Sequence, residues 1–133
     1  MSAIRQLYQH KKSELFVRHL NTPNRPTNVW LENAKSILTN QIGNVNANMN
    51  SIAFELCMSE RQFYRKFKKI TGVTPNIFFR TVRLEKAYEL LVSGEFETLT
   101  EVAIRVGYQR VDYFSNLFEK HYNKRPSEIL NWA

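Results

Sequence analysis

A single cysteine, Cys57, stands in the 133 residues, which excludes an internal disulfide framework and any cysteine-rich zinc site. Four glycines and four prolines leave little room for long loops. No run of about 18 apolar residues occurs, so no membrane-spanning helix is expected, and the N-terminus lacks the apolar core of a signal peptide. Acidic residues are also scarce. Twelve Asp and Glu against nineteen Lys and Arg leave a net charge of +7, which points to an anionic partner, either nucleic acid or an acidic membrane face. His10, His19 and His121 are scattered, with no Cys or carboxylate pair at metal-ligand spacing. There is no GxxxxGK(S/T) loop and no serine elbow. No catalytic residue, metal site or cofactor is therefore expected, and the composition describes a cytoplasmic, mostly helical, basic domain.

What the chain does contain is organised around SERQFYRKFKKITG, Ser59 to Gly72. Ser59 is a good N-cap, Gln62 completes a capping box, and Gly72 supplies a left-handed stop. Phe63, Phe67 and Ile70 recur at i, i+4 and i+7, so one helical face packs inward. The opposite face carries Arg61, Tyr64, Arg65 and Lys68. Such a face is either simply solvated or suited to a DNA groove, where Arg can bridge guanine O6 and N7. Cations exceed acids by five over residues 59–93 and by four over residues 1–26, while the other two stretches each hold one more acid than base.

Residues 1–20 read as a basic amphipathic helix, serving as a connector from a larger parent protein, a dimerisation element or a membrane-surface segment. NTPNRPTN, Asn21 to Asn28, reads as a linker. A helix is predicted from Val29 to Ile42, ended by Gly43. A shorter one runs from Met49 to Leu56, capped by Asn48, and leads directly to Ser59. Two helices joined by so short a turn, the second basic on its outer face, form a helix-turn-helix pattern. Cys57 falls in that turn and reads as an inert small hydrophobe.

Thr74–Pro75 opens a long helix through Ile77, Phe78, Leu84, Ala87, Tyr88 and Leu91, stopped by Gly94. Over residues 75–93 it would span about 28 Å. Arg80 on it reads equally as a phosphate contact or an internal ion pair, and Arg83 as an ion pair. Phe67 and Leu84 are expected in the core.

Residues 99–122 then echo residues 52–70. Val102–Ala103 matches Ile52–Ala53, and Phe114 with Phe118 matches Phe63 with Phe67. Asp112, Ser115 and Asn116 take the places of Arg61, Tyr64 and Arg65, with Arg110 and Val111 before them. A last helix is predicted from Pro126 to Trp132.

The strings GVTPNIFFRTVRLEKAYELL, LTEVAIRVGY and DYFSNLFEKHYNKRPSEI resemble the DNA-binding domain of the AraC/XylS family of bacterial transcription regulators, over about residues 29–132. The resemblance implies an all-α fold of two homeodomain-like helix-turn-helix subdomains joined by a linker helix, here with an extra N-terminal helix. The first helix-turn-helix would lie at about 49–72, the linker helix at 75–93 and the second unit at about 99–123, after a segment 1–28. It implies base reading by Arg61, Tyr64, Arg65, Arg110, Val111, Asp112, Ser115 and Asn116. Ser59, Lys68, Lys69 and Arg80 are the expected phosphate contacts. The implied partner is double-stranded DNA, with RNA polymerase and a sensor, receiver or membrane module in a larger parent chain as further candidates. Asn123 stands where the family has Gly, and the near-neutral second unit is the larger departure.

Overall fold

The computed structural model describes residues 26–130, and the expected helix over 1–20 and Trp132 lie outside that range. All the regular structure described is helical. The elements are α1 (Pro26–Asn40), α2 (Met49–Glu55), α3 (Glu60–Thr71), α4 (Pro75–Ser93), α5 (Leu99–Arg105), α6 (Val111–Tyr122) and α7 (Pro126–Leu130).

The capping residues act as their chemistry requires. Asn48, Ser59, Thr74 and Thr98 each accept a hydrogen bond from an amide in the first turn of α2, α3, α4 and α5. Ser59 and Gln62 form the full reciprocal box. Of the break expected at residues 21–28, residues 26–28 are helical and the rest lie outside the described range. Pro26 opens α1 instead of interrupting the chain, because the fixed φ of proline suits a first helical position. The other end of α1 is early by two residues. Gln41 and Ile42 donate to Leu38 and Thr39 in tight turns before Gly43 is reached.

Two cores result, and α4 passes through both. The first gathers Leu31, Ala34 and Leu38 of α1, Ile52 and Ala53 of α2, Phe63 and Phe67 of α3, and Phe78 and Phe79 of α4. The second takes Leu84, Ala87, Tyr88, Leu90 and Leu91 of α4 with Val102, Ala103, Phe114, Phe118 and Ile129. Rings run through the first core from Trp30 to Phe63 to Phe67 to Phe78, at 6.2, 5.9 and 5.4 Å between centroids, the first two pairs edge-to-face and the last tilted. Phe67 and Leu84 are buried as expected. Ile77, in the first turn of α4, lies outside the first core and is 42% exposed.

The internal repeat is structural. Met58 N–H donates to Ala53 O at 3.0 Å, and Tyr108 N–H to Ala103 O at 2.8 Å, closing equivalent turns. Each turn passes through the left-handed region, at Cys57 with φ 58° and at Gly107 with φ 96°. Cys57 is also exposed. An L-residue in this conformation is strained by about 1–2 kcal/mol, partly offset by the lower unfolded-state freedom it has relative to glycine. Cys57→Gly should therefore raise stability by about 0.5–1 kcal/mol in a denaturant melt. A lower midpoint would show that the thiol contributes packing that its exposure does not suggest.

Candidate nucleic-acid interface

The inward face of α3 is fixed by Phe63 and Phe67, both 0% exposed, and this aims the opposite face at solvent. Arg61, Tyr64, Arg65, Lys68 and Lys69 are all exposed there. Among the described residues, no carboxylate forms an ion pair with any of these four cations. The Lys68 ammonium sits 6.0 Å from the Tyr64 ring centroid and steadies it. Lys66, by contrast, turns away and covers Trp30 at 4.5 Å, shielding the first core. Ser59 Oγ accepts from the Gln62 amide at 3.1 Å, which leaves its O–H as the donor available to a phosphate.

The second unit presents a different surface. Arg110, Asp112 and Asn116 are exposed, whereas Ser115 is half-buried and Val111 packs against the second core. Arg110 Nη2 lies 2.7 Å from Asp112 Oδ2, and Nε donates to Oδ1 at 3.2 Å. The bond from Arg110 holds the Asp112 carboxyl below the ordinary carboxylate range. Arg125 and Glu119 approach to 3.5 Å. The charges on this helix and its C-terminal end are thus largely neutralised among themselves, while those on α3 are left open.

Arg80 and Arg83 part company. Arg80 is exposed, in a cleft between the units that Glu60, Asn76, Tyr113 and Leu117 also line. Arg83 is half-buried, and two carbonyls and two rings take the place of the expected carboxylate. Its Nε donates to Ile42 O at 3.1 Å and its Nη2 to Asn44 O at 2.7 Å. Its guanidinium carbon lies 4.1 Å from the Phe79 centroid and 5.2 Å from that of Tyr108. Burial pushes the guanidinium pKa down, with Tyr108 opposing that shift. The side chain ties the end of α1 to the turn of the second unit. Backbones meet at the same place: a Cβ on Gly43 would stand 3.1 Å from Arg105 O. One on Gly107 would stand 2.4 Å from Ile42 O.

Sequence reasoning missed two residues of this region. Tyr113, 55% exposed with its ring 6.1 Å from Tyr108, projects beside Arg80 at the cleft. Its repeat counterpart is Gln62, so copying the first unit onto the second gave no hint of it. Asn76 lines the same cleft, and nothing in the sequence pattern marks it.

A family model described as a helix-turn-helix domain matches residues 52–131. The C-terminal domain of AraT, a response regulator from Geobacillus stearothermophilus, superposes with a TM-score of 0.73 at 28% identity, over 82% of this chain and 87% of that one. A Chromobacterium violaceum transcriptional regulator, described as AraC-type, gives 0.69 at 25% identity over 78% and 91%. This chain belongs to the AraC/XylS family. Among AraC/XylS relatives by sequence, the transcriptional activator RhaS of Escherichia coli is 35% identical over 82 residues, which are 62% of this chain and 29% of RhaS. A histidine kinase of Formosa agariphila is 30% identical over 101 residues, 76% of this chain and 7% of the kinase. The chain thus spans less than a third of the length of the curated relatives it matches.

Proposed function

We propose that the chain is the sequence-specific DNA-reading part of a bacterial transcription regulator, acting in the cytoplasm, and that α3 and α6 enter adjacent major-groove segments on one face of the duplex. The observation that carries this reading is the open Arg61–Tyr64–Arg65 face of α3, free of internal carboxylate partners among the described residues. Arg110, Val111, Asp112, Ser115 and Asn116 are the matching set on α6, and Ser59, Lys68, Lys69 and Arg80 the phosphate contacts. Recognition helices on successive turns must sit about 34 Å apart. The 19 residues of α4 span about 28 Å, and the width of the packed units makes up the rest. Arg83 keeps that spacing rigid, and bending of the DNA absorbs a modest mismatch at a few kcal/mol.

Binding to duplex should then fall steeply with salt. If about six phosphates are neutralised, log K against log salt slopes by about −5. A gel shift at several salt concentrations measures it, and a flat response would remove the DNA reading. The second reading is a protein-interaction module that recruits transcription machinery, RNA polymerase included, while binding DNA weakly. Phe54, 81% exposed, and its repeat counterpart Ile104, 52% exposed, favour it as apolar contacts on α2 and α5. The lengths of RhaS and the kinase support a sensor, receiver or membrane module elsewhere in a parent chain.

A further inference from the structure

We infer that Asp112 aims Arg110 at a guanine, so that the pair, and not Asp112 as a base reader in its own right, sets what the second unit recognises; this rests on the DNA reading above. Two independent features of the α6 N-terminus lead to it. The first is what Arg110 gives up. It occupies the N-cap, where Ser, Thr, Asp or Asn would accept an amide hydrogen bond, and it makes no such bond. The four helices before α6 from α2 onward all have that bond. A local rule broken in one helix and obeyed in its neighbours marks a position held for another purpose.

The second feature is the geometry of the fork. Side chains two apart on a helix do not face each other, but the N-cap residue is extended, at φ −109° and ψ 117°, so Arg110 can fold back over the first turn. There Asp112 engages it through Nε and Nη2, at 3.2 and 2.7 Å. Two of the five guanidinium donors are occupied. The three that remain lie along the outer edge and can meet O6 and N7 of one guanine. Both side chains are open to a partner, at 77% and 64% exposure. A neutral pair adds little to attraction for phosphate. A rotamer fixed in advance, at the end of a recognition helix that reaches base edges, favours reading.

A double-mutant cycle on the full chain tests this. Duplexes selected from a randomised pool by the wild type, and their single-base variants, are bound by the wild type, Arg110→Ala, Asp112→Ala and the double variant. Arg110→Ala should lose roughly tenfold or more of the discrimination at one G·C pair. Asp112→Ala should lose much of the same discrimination while binding to unselected duplex holds or tightens, and the double variant should be no worse than Arg110→Ala. Arg110→Asn, which restores a capping side chain, should melt higher by about 4 °C and still lose the guanine. Additive losses, or a preference for cytosine that Asp112 maintains without Arg110, overturn the pairing and make Asp112 a reader itself. Equal tightening of selected and unselected duplex by Asp112→Ala also overturns it, leaving only repulsion of phosphate. If the wild type selects no sequence at all, the DNA reading fails and the pair falls with it; an additive cycle removes the pair alone.

Discussion

Arg65→Ala should abolish detectable specific binding to duplex DNA, a loss of at least about a hundredfold, while Asn116→Ala weakens it less and mainly relaxes preference over half of the site. A bidentate Arg–guanine contact is worth about 1–3 kcal/mol, and the upper figure corresponds to more than a hundredfold. Arg65 lies mid-helix on the exposed face of α3, flanked by Arg61 and Lys68, and losing it disturbs how they seat. Asn116 has the matching place on α6, among charges already paired as Arg110 with Asp112 and Arg125 with Glu119. Its amide can bridge an adenine but brings no long-range attraction. Footprinting both variants on one operator separates the contributions. Equal losses, or a larger loss for Asn116→Ala, would mean that the second unit docks as fully as the first.

Gly107→Ala should lower stability by about 4 kcal/mol in a denaturant melt, more than its size suggests. Left-handed backbone strain supplies about 1–2 kcal/mol of this. The rest comes from the approach of Ile42 O at 2.4 Å and Arg83 Nη2 at 2.6 Å. A methyl group must push away either a backbone carbonyl or the guanidinium that holds residues 42 and 44. The first unit provides an internal control, since Cys57 already takes the same turn position with a side chain. Gly107→Asn should fail nearly as badly, because Asn tolerates the backbone angle but not the crowding. A loss below about 2 kcal/mol for Gly107→Ala would show that the two units separate easily there.

What could be read along the chain was whatever depends on near neighbours. The caps at Asn48, Ser59 and Thr74 and the inward Phe63 and Phe67 each rest on spacings of a few residues, and the repeat of residues 52–70 at 99–122 is the same local pattern met twice. The errors arose where distant parts meet. Arg83 finds its acceptors 41 and 39 positions away, at carbonyls that carry no sequence signal. Arg110 and Asp112 were taken separately, since helical spacing keeps i and i+2 apart and only the extended N-cap joins them. The exposed sets on α3 and α6 were legible as faces; that one is open and the other internally paired was not.

The passage of α4 through both cores bears on how the chain unfolds. Its first half finds its apolar partners in α1, α2 and α3, and its second half in α5, α6 and α7. Cut at the handover near Thr81 and Arg83, each half would be roughly ten residues, too short to persist as a helix in water. Melting either core therefore removes the support that lets the other keep its share of α4. Two cores should behave as one cooperative unit, and neither helix-turn-helix can be excised as an autonomous module without a replacement for the helix they share.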